Sequence, residues 1–291
     1  MPTFHLVDAF TDVSFAGNPA GVVLLDAGPV DGRWAQRVAA EVGASETAFL
    51  VPAPGAEGPG TAPGDGSRWQ LRWWTPGIEV DLCGHATLAA AHVLRSRGLS
   101  AAGATVGFDT RSGTLTARGD PDGRIWLELP AWPVADHAAA DDPAALLGGV
   151  DGRYLGRTTV AQANDVVEVA DTAALDAVVV DRDRVAALGG AGLIVCCAGT
   201  RSDAAMRYFA PAVGVDEDPV TGSAACTVAP LWSDRLGRSQ VTIEQRSARG
   251  GWLWTRVGGA TAAGAVDVVA AGRVLVGGHA VTTIVGEVVG A

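Results

Sequence analysis

Short apolar segments separated by turn residues recur along most of this chain, and this pattern predicts many short β-strands. Residues 34–42 instead carry apolar positions at helical spacing and end before Gly43, which predicts a helix. Turn residues at 119–123 predict a hairpin, and residues 52–66 and 130–142 predict a surface loop and an interdomain linker. The expected strands are 4–12, 21–25, 45–51, 69–74, 114–118, 124–129, 159–161, 166–170, 177–180, 193–197, 206–209, 241–245, 252–257, 265–270, 274–276 and 281–285.

Two segments are apolar on nearly every side of a helix, which is typical of buried helices. One follows Gly84 and the other follows Gly222. We predict buried helices at 84–94 and 222–232, with Pro230 and the Ser233–Asp234 pair bounding the second. Because short strands surround both segments, the economical architecture is an α+β fold of two sheets, each curled around one central helix.

One pattern occurs in both halves of the chain. Residues 72–76 and 207–211 each read Arg-aromatic-aromatic-x-Pro, and an acidic stretch follows each copy. Each copy then continues with a glycine, a polar residue and a run of small apolar residues. A repeat of this length predicts two similar domains, 1–130 and 131–291, and the last strands can pair with the first domain. It also predicts one site built from both halves.

Composition narrows the class of protein. The formal charge of −11 argues against nucleic acid as a partner, because phosphates require a basic surface. All 21 basic residues are arginine, so a lysine Schiff base to pyridoxal phosphate is excluded. No apolar run has the roughly 20 residues of a membrane span. Four cysteines without a disulfide or zinc pattern, and the lack of a signal peptide, predict a cytoplasmic protein without a metal.

Each of the two buried helices opens with a pair of residues that we call its helix start, Gly84 with His85 and Gly222 with Ser223. The first turn of a helix leaves backbone N–H groups without partners, and the helix dipole adds positive charge there. Each helix start can therefore bind an anion such as a carboxylate. Glycines that only permit a tight turn into the helix are the alternative explanation.

Three side chains are candidates for proton transfer. Glu46 adjoins an apolar strand, and burial there is expected to raise the pKa of its carboxyl and suit it to general acid–base catalysis. The alternative is a glutamate on the solvated edge of a strand. Cys83 precedes the buried helix that follows Gly84. The positive end of a helix lowers the pKa of a thiol, which would make Cys83 a base or a nucleophile. The alternative is that Cys83 is only a small buried residue. Asp218 is a further candidate, or a cap of the second helix.

With these motifs the sequence resembles the phenazine-biosynthesis isomerase-like family, called PhzF-like, which shares the diaminopimelate epimerase fold. The resemblance covers nearly the whole chain, and the combination of motifs is specific. The motifs are residues 8–11, 15–23, 45–49, 75–76, 83–88, 217–225 and 245–250.

The resemblance implies a site. Glu46 matches the family's proton shuttle, and the other matched residues are expected to bind substrate or assist proton transfer. No cofactor is implied, and a cytoplasmic homodimer acting in biosynthesis is expected. The matched residues are Asn18, Glu46, Cys83, Gly84, His85, Asp218, Gly222 and Ser223.

The resulting hypothesis is a cofactor-independent isomerase that moves a proton on a small carboxylate-bearing molecule through Glu46. One alternative is an epimerase that uses Cys83 and Asp218 from opposite faces. Racemase-type relatives carry a second catalytic cysteine, and Asp218 lies close to the matching position here, so a two-cysteine mechanism is not expected. The other alternative is a protein that binds a small molecule without catalysis.

Overall fold

Mixed β-sheet with few helices makes up the protein, which a computed structural model describes over residues 1–53, 67–101, 103–160, 163–258 and 272–290. The chain divides into two units, Met1–Glu128 with Gly277–Ala291, and Leu129–Val276. The sequence predicted the domain boundary after residue 130, which is two residues after the observed one. The last strand returns to the first unit.

Eighteen strands and six α-helices are numbered in chain order within the described ranges. The strands are β1 (Thr3–Ala9), β2 (Asn18–Leu24), β3 (Glu46–Pro52), β4 (Arg68–Trp74), β5 (Glu79–Val80), β6 (Thr105–Thr110), β7 (Gly113–Gly119), β8 (Ile125–Pro130), β9 (Val134–Ala135), β10 (Gly152–Thr158), β11 (Asn164–Val169), β12 (Gly192–Ala198), β13 (Ala204–Ala210), β14 (Val215–Asp218), β15 (Gln240–Gln245), β16 (Gly251–Val257), β17 (Arg273–Gly278) and β18 (Ala280–Glu287). The helices are α1 (Gly32–Val42), α2 (Gly84–Ser96), α3 (Pro143–Leu146), α4 (Thr172–Ala177), α5 (Arg182–Ala187) and α6 (Gly222–Leu236).

In the first unit the sheet runs β18, β1, β2, β3, β4, β6, β7 and β8, with the short β5 also paired to β4. The neighbours β2–β3 and β4–β6 are parallel, and the other pairs are antiparallel. Parallel neighbours need a crossover connection. Helix α1 lies in the first crossover and α2 in the second.

The second unit has the same order of strands. Its sheet runs β9, β10, β11, β12, β13, β15 and β16, with the short β14 paired to β13. The parallel pairs are β11–β12 and β13–β15, at the places that β2–β3 and β4–β6 occupy in the first unit. Helix α6 occupies the crossover that α2 occupies in the first unit. The repeat in the sequence is therefore a repeat of topology.

The two predicted central helices are confirmed. Helix α2 packs against β1, β2 and β3, and α6 packs against β13, β15 and β16. Most side chains of both helices are buried. Burial of this extent explains why both segments are apolar all round, since each large apolar side chain removed from water contributes about 1.5–3 kcal/mol.

Neither Pro230 nor the Ser233–Asp234 pair bounds the second helix, and that expectation was wrong. Helix α6 continues through Pro230 to Leu236. Proline lacks the N–H that would bond the carbonyl four residues earlier, here that of Cys226. The Cys226 carbonyl accepts instead from the backbone N–H of Trp132, at 2.9 Å. The missing helical bond is thus replaced by one to the segment that leads into this unit.

The repeated Arg-aromatic-aromatic pattern forms an arginine clasp in each unit. Arg72 donates to both carboxylate oxygens of Glu79 at 2.7 and 2.8 Å, and to the Val30 carbonyl. Arg207 donates to both oxygens of Glu217 at 2.7 and 2.9 Å. It also donates to two backbone carbonyls, at positions 175 and 178. Each clasp holds the short strand that precedes a helix start.

Some predicted elements differ from the structure. Residues 177–180 were expected to form a strand, but α4 ends at Ala177, and the Val178 carbonyl accepts from the guanidinium of Arg207 in place of a neighbouring strand. The strand expected at 159–161 lies earlier, as β10. Strands β5, β6, β9 and β14 and helices α3, α4 and α5 were not predicted. Most of the expected loop at 52–66 and the strand at 265–270 lie outside the described residues.

Candidate functional site

Glu46, Cys83 and His85 meet at the N-terminus of α2. Glu46 is the first residue of β3, and Cys83 is the N-cap that precedes Gly84. The His85 Nε2 atom lies 3.2 Å from Glu46 Oε2, and its Nδ1 atom lies 3.5 Å from Cys83 Sγ. Glu46, which is distant from the other two residues in the sequence, is thus in direct contact with His85.

Ser45 and Asn18 extend this cluster. Ser45 Oγ lies 3.3 Å from His85 Nε2, 3.3 Å from Asn18 Oδ1 and 3.2 Å from the Pro19 carbonyl. Asn18 begins β2 and is fully buried. Because β2 and β3 are parallel and Ala20 pairs with Glu46, both strands present their first residues at the same edge of the sheet.

The pKa of Glu46 shifts opposite to our expectation. Burial alone would raise the pKa of this carboxyl, but the facing His85, with hydrogen bonds from Ser45 and Cys83, lowers it below its ordinary value. Burial alone would likewise lower the pKa of His85, yet Cys83 and Glu46 raise it well above its usual range. The resting pair is therefore a carboxylate beside an imidazolium, and Glu46 is in the form that can accept a proton.

Cys83 also differs from the activated thiol that its position suggested. It is 7% exposed, and burial together with the Glu46 carboxylate raises the pKa of its thiol. The positive end of a helix favours a thiolate, but here the desolvation of Cys83 outweighs it. The resting residue is a neutral thiol in contact with His85.

At the N-terminus of α6 lies a hydrogen-bond network centred on Gln245. The Asp218 carboxylate accepts from the hydroxyl of Thr221, which is the N-cap of α6. Buried Gln245 donates to the Asp218 carbonyl at 2.7 Å, and its own side-chain oxygen accepts from the Thr221 N–H at 2.7 Å. This network fixes the chain just before Gly222 and Ser223, and no side chain caps the helix.

The structure thus places the predicted residues in two groups. Asn18, Glu46, Cys83, Gly84 and His85 belong to the first unit, and three others belong to the second. That both groups serve one site stays a prediction. The residues in the second unit are Asp218, Gly222 and Ser223.

Sequence reasoning did not identify Ser45 or Gln245 as functional. Ser45 stands directly before Glu46, and a small hydroxyl residue at the start of a strand is a weak signal by itself. Gln245 lies in a segment that carried part of the family resemblance, yet a glutamine at the end of a strand gives no indication of its buried contacts.

The other acidic residues of the repeat have structural contacts. Glu79 and Glu217 belong to the arginine clasps, and Asp216 lies 2.8 Å from Arg182. Asp81 lies 3.2 Å from the guanidinium of residue 111. The acidic stretches of both copies therefore serve mainly to hold the chain before each helix.

One set of side chains in the described part of the chain has the composition of a metal site. The ligand atoms of Glu46, Cys83 and His85 all lie within 4.8 Å of one another. Sequence spacing gave no indication of it, because Glu46 is far from the other two in the chain. Among the described residues no helix is long and apolar enough to cross a membrane.

Comparison with known proteins identifies the family of this chain. The model of the family described as phenazine biosynthesis-like protein matches residues 7–286. An uncharacterized isomerase of Pseudomonas aeruginosa is 41% identical over 273 residues, which cover 93% of this chain and 97% of that protein.

Solved structures extend the comparison to the fold. A phenazine biosynthesis protein of the PhzF family from Enterococcus faecalis has a TM-score of 0.82 at 31% identity, covering 99% of this chain and 98% of the other. A hydroxyproline epimerase from Agrobacterium vitis has a TM-score of 0.61 at 12% identity, covering 98% of this chain and 91% of the other, and shares the fold alone. The chain belongs to the PhzF-like family, shares the fold of that family and is an isomerase by class.

Proposed function

We propose that this chain is a cofactor-independent isomerase that moves a proton on a small carboxylate-bearing metabolite, with Glu46 as the acid and base. The observation that carries the proposal is the position of the Glu46 carboxylate at the N-terminus of α2. This carboxylate contacts His85, and 20% of the Glu46 side chain is exposed. A carboxylate that is both ordered and accessible can reach the carbon of a bound molecule.

In the proposed reaction a Glu46 oxygen takes a proton from a substrate carbon, and the electron pair of the broken C–H bond stays on the substrate. The same oxygen then returns the proton to another carbon on the same face. Because His85 lowers the pKa of Glu46, the carboxylate is a weak base toward carbon. The rate therefore depends on groups that stabilise the negative charge of the intermediate.

Two groups at the N-terminus of α2 are suited to that task. His85 is held as an imidazolium, and the backbone N–H groups at Gly84 face the end of the helix without a side-chain cap. Together they can spread the charge of the intermediate over several donors.

The remaining assignments concern substrate binding. We assign substrate contacts to Asn18 in the first unit. In the second unit we assign to Gly222 and Ser223 the binding of polar substrate groups. Asp218 is proposed to accept a hydrogen bond from a substrate amine or hydroxyl.

The contact between Cys83 Sγ and His85 Nδ1 favours a second candidate, an epimerase that uses Cys83 and Asp218. His85 could accept the thiol proton only after losing its own. Since the pKa of the thiol is raised, this candidate requires that substrate binding change the charge of the cluster. The glutamate mechanism requires no such change, so we prefer it. A cytoplasmic homodimer remains the expected form of the protein.

Hydrogen exchange in deuterated water tests the proposal. Candidate carboxylates are incubated with the protein, and deuterium entering the carbon skeleton is followed by NMR. Glu46→Gln keeps the shape of the side chain but cannot accept the proton, so it should abolish exchange while ligand binding persists. Glu41→Gln, on the exposed face of α1, is the matched control and should exchange normally.

A second variant separates the two candidates. Cys83→Ala should lower turnover only modestly under the glutamate mechanism. An inactive Cys83→Ala beside an active Glu46→Gln would assign the reaction to the epimerase mechanism. Ligand binding without exchange in the unchanged protein would identify a binding protein and overturn the proposal.

A further inference from the structure

The cluster of Glu46, Cys83 and His85 has the donor set of a zinc site. A carboxylate, a thiol and an imidazole are the three types of side chain that zinc binds in proteins. Three protein ligands with a fourth open position also match the ligand count of zinc sites that bind small molecules. Here the three side chains come from two elements, β3 and the N-terminus of α2, that the fold holds together.

The distances within the cluster suit a tetrahedral ion. His85 Nε2 lies 3.2 Å from Glu46 Oε2 and 3.9 Å from Cys83 Sγ. With bonds of about 2.0 Å to nitrogen and oxygen and about 2.3 Å to sulfur, ligand atoms around tetrahedral zinc are roughly 3.3–3.6 Å apart. These two distances therefore lie within a few tenths of an ångström of those that one bound ion requires, and all three ligand atoms lie within 4.8 Å of one another.

Burial and access also favour an ion at this place. Cys83 and His85 are each 7% exposed, so water competes poorly for their ligand atoms. The 20% exposure of the Glu46 side chain leaves a route from solvent to the cluster. Ser45 Oγ lies 3.3 Å from His85 Nε2 and adds a further oxygen beside the three ligand atoms.

We propose that Glu46, Cys83 and His85 bind a thiophilic divalent cation such as Zn²⁺, and that the bound ion inhibits the isomerase. Binding replaces the thiol proton and the imidazolium proton, which pass to solvent, and forms bonds to sulfur, nitrogen and oxygen. The Glu46 carboxylate then holds the ion and is no longer available to accept a proton from carbon. The inhibition rests on the proposed function, whereas the binding of the ion does not.

Metal binding is tested on the full chain with Co²⁺ and Zn²⁺. The metal-free protein should bind one Co²⁺ and show a thiolate-to-cobalt charge-transfer band, and one equivalent of Zn²⁺ should displace it. Cys83→Ser should remove that band. Cys226→Ser is the matched control, because Cys226 is a buried thiol in the first turns of α6 that contacts the Gly222 carbonyl, and it should keep the band.

Two further variants guard against misfolding as an explanation. Glu46→Gln should keep the charge-transfer band but lower Zn²⁺ affinity at least tenfold, measured against a chromophoric chelator. His85→Asn should lower that affinity similarly, and circular dichroism checks that each variant is folded. Absence of stoichiometric binding, or a charge-transfer band that survives Cys83→Ser, would overturn the metal site.

The exchange assay separates this inference from the proposed function. Zn²⁺ should stop exchange in the unchanged protein, and a chelator should restore it. Stoichiometric binding with undiminished exchange would overturn the inhibition. Binding in a protein that never exchanges any candidate substrate would refute the proposed isomerase and leave the metal site in place.

Discussion

The two helix starts share one framework but carry different chemistry. In each unit an arginine clasp fixes a short strand, and the helix begins five residues after the clasp glutamate, at Gly84 after Glu79 and at Gly222 after Glu217. The first helix start adjoins an ionic cluster with an imidazole and a thiol. The second adjoins a hydrogen-bond network centred on a glutamine.

Matched positions make the difference explicit. Counting from the glycine that opens each helix, Cys83 corresponds to Thr221 and His85 to Ser223. The first residue of β3, a glutamate, corresponds to the first residue of β12, Gly192. The framework thus tolerates complete replacement of the side chains around the helix start. An ion pair lies at the start of the helix in the first unit, and hydrogen-bonding groups surround the start of the helix in the second.

The helices themselves offer the sharpest test of this comparison. His92 and Pro230 each stand eight residues after the opening glycine. His92→Pro should destabilise the protein by about 3 kcal/mol or more, because it removes a helical bond without a replacement. Pro230→Ala should change stability by less than about 1 kcal/mol, because the Cys226 carbonyl already accepts from Trp132. Urea denaturation followed by circular dichroism measures both, and equal effects would show that the helices are equivalent at this position.

Removing the arginine of each clasp should lower the free energy of unfolding by different amounts. Arg207→Ala leaves Glu217 and two backbone carbonyls without this donor and should cost about 2–3 kcal/mol. Arg72→Ala should cost about 1–2 kcal/mol, because Arg111 still lies 3.0 Å from Glu79. Denaturation midpoints compare the two variants with a control alanine substitution of the arginine at position 37, on α1. A larger loss for Arg72→Ala would contradict this ranking.

Acid should weaken the first unit through His92. Burial, with Arg95 and His5 nearby, lowers the pKa of His92 to about 4, and its Nε2 lies 3.1 Å from Thr282 Oγ1. The unfolded chain, with a pKa near 6.5, binds the proton more readily, so stability falls as the pH drops from about 6.5 toward 4. The loss reaches about 2 kcal/mol at pH 5.

The corresponding experiment compares stability at pH 7.5 and pH 5. His92→Gln should lose about 2 kcal/mol less stability than the unchanged protein between pH 7.5 and pH 5. His137→Gln is the control, because His137 is exposed and lies in the second unit. If both variants retain the full acid sensitivity of the unchanged protein, groups other than His92 are responsible for it.

The pattern of apolar residues and the repeated motif predicted the architecture well, because buried positions of helices and strands are occupied by apolar residues. Helices α2 and α6 are apolar on all sides, and the clasp motif recurs before each. The strand expected at 177–180 was wrong, because the Val178 carbonyl accepts from the Arg207 side chain instead of from a neighbouring strand. Apolar periodicity does not record such polar contacts.

The sequence singled out the three side chains of the cluster at the start of α2, but it did not predict their electrostatics. Motifs brought Glu46, Cys83 and His85 into one hypothesis, and the fold places them in contact. The direction of the Glu46 pKa shift depends on a 3.2 Å contact with His85, and the sequence does not contain that distance. The zinc-type donor set stayed hidden for the same reason, since the glutamate is far from the other two ligands in the chain.

The return of β18 to the first unit has a consequence for synthesis of the chain. Strand β18 pairs with β1, so the sheet of the first unit lacks a strand until the residues of β18, Ala280–Glu287, have left the ribosome. The second unit is continuous in sequence from Leu129 to Val276. Since domains fold as their residues emerge, the half that is translated second is the first able to complete its structure. The half that holds Glu46 is completed last.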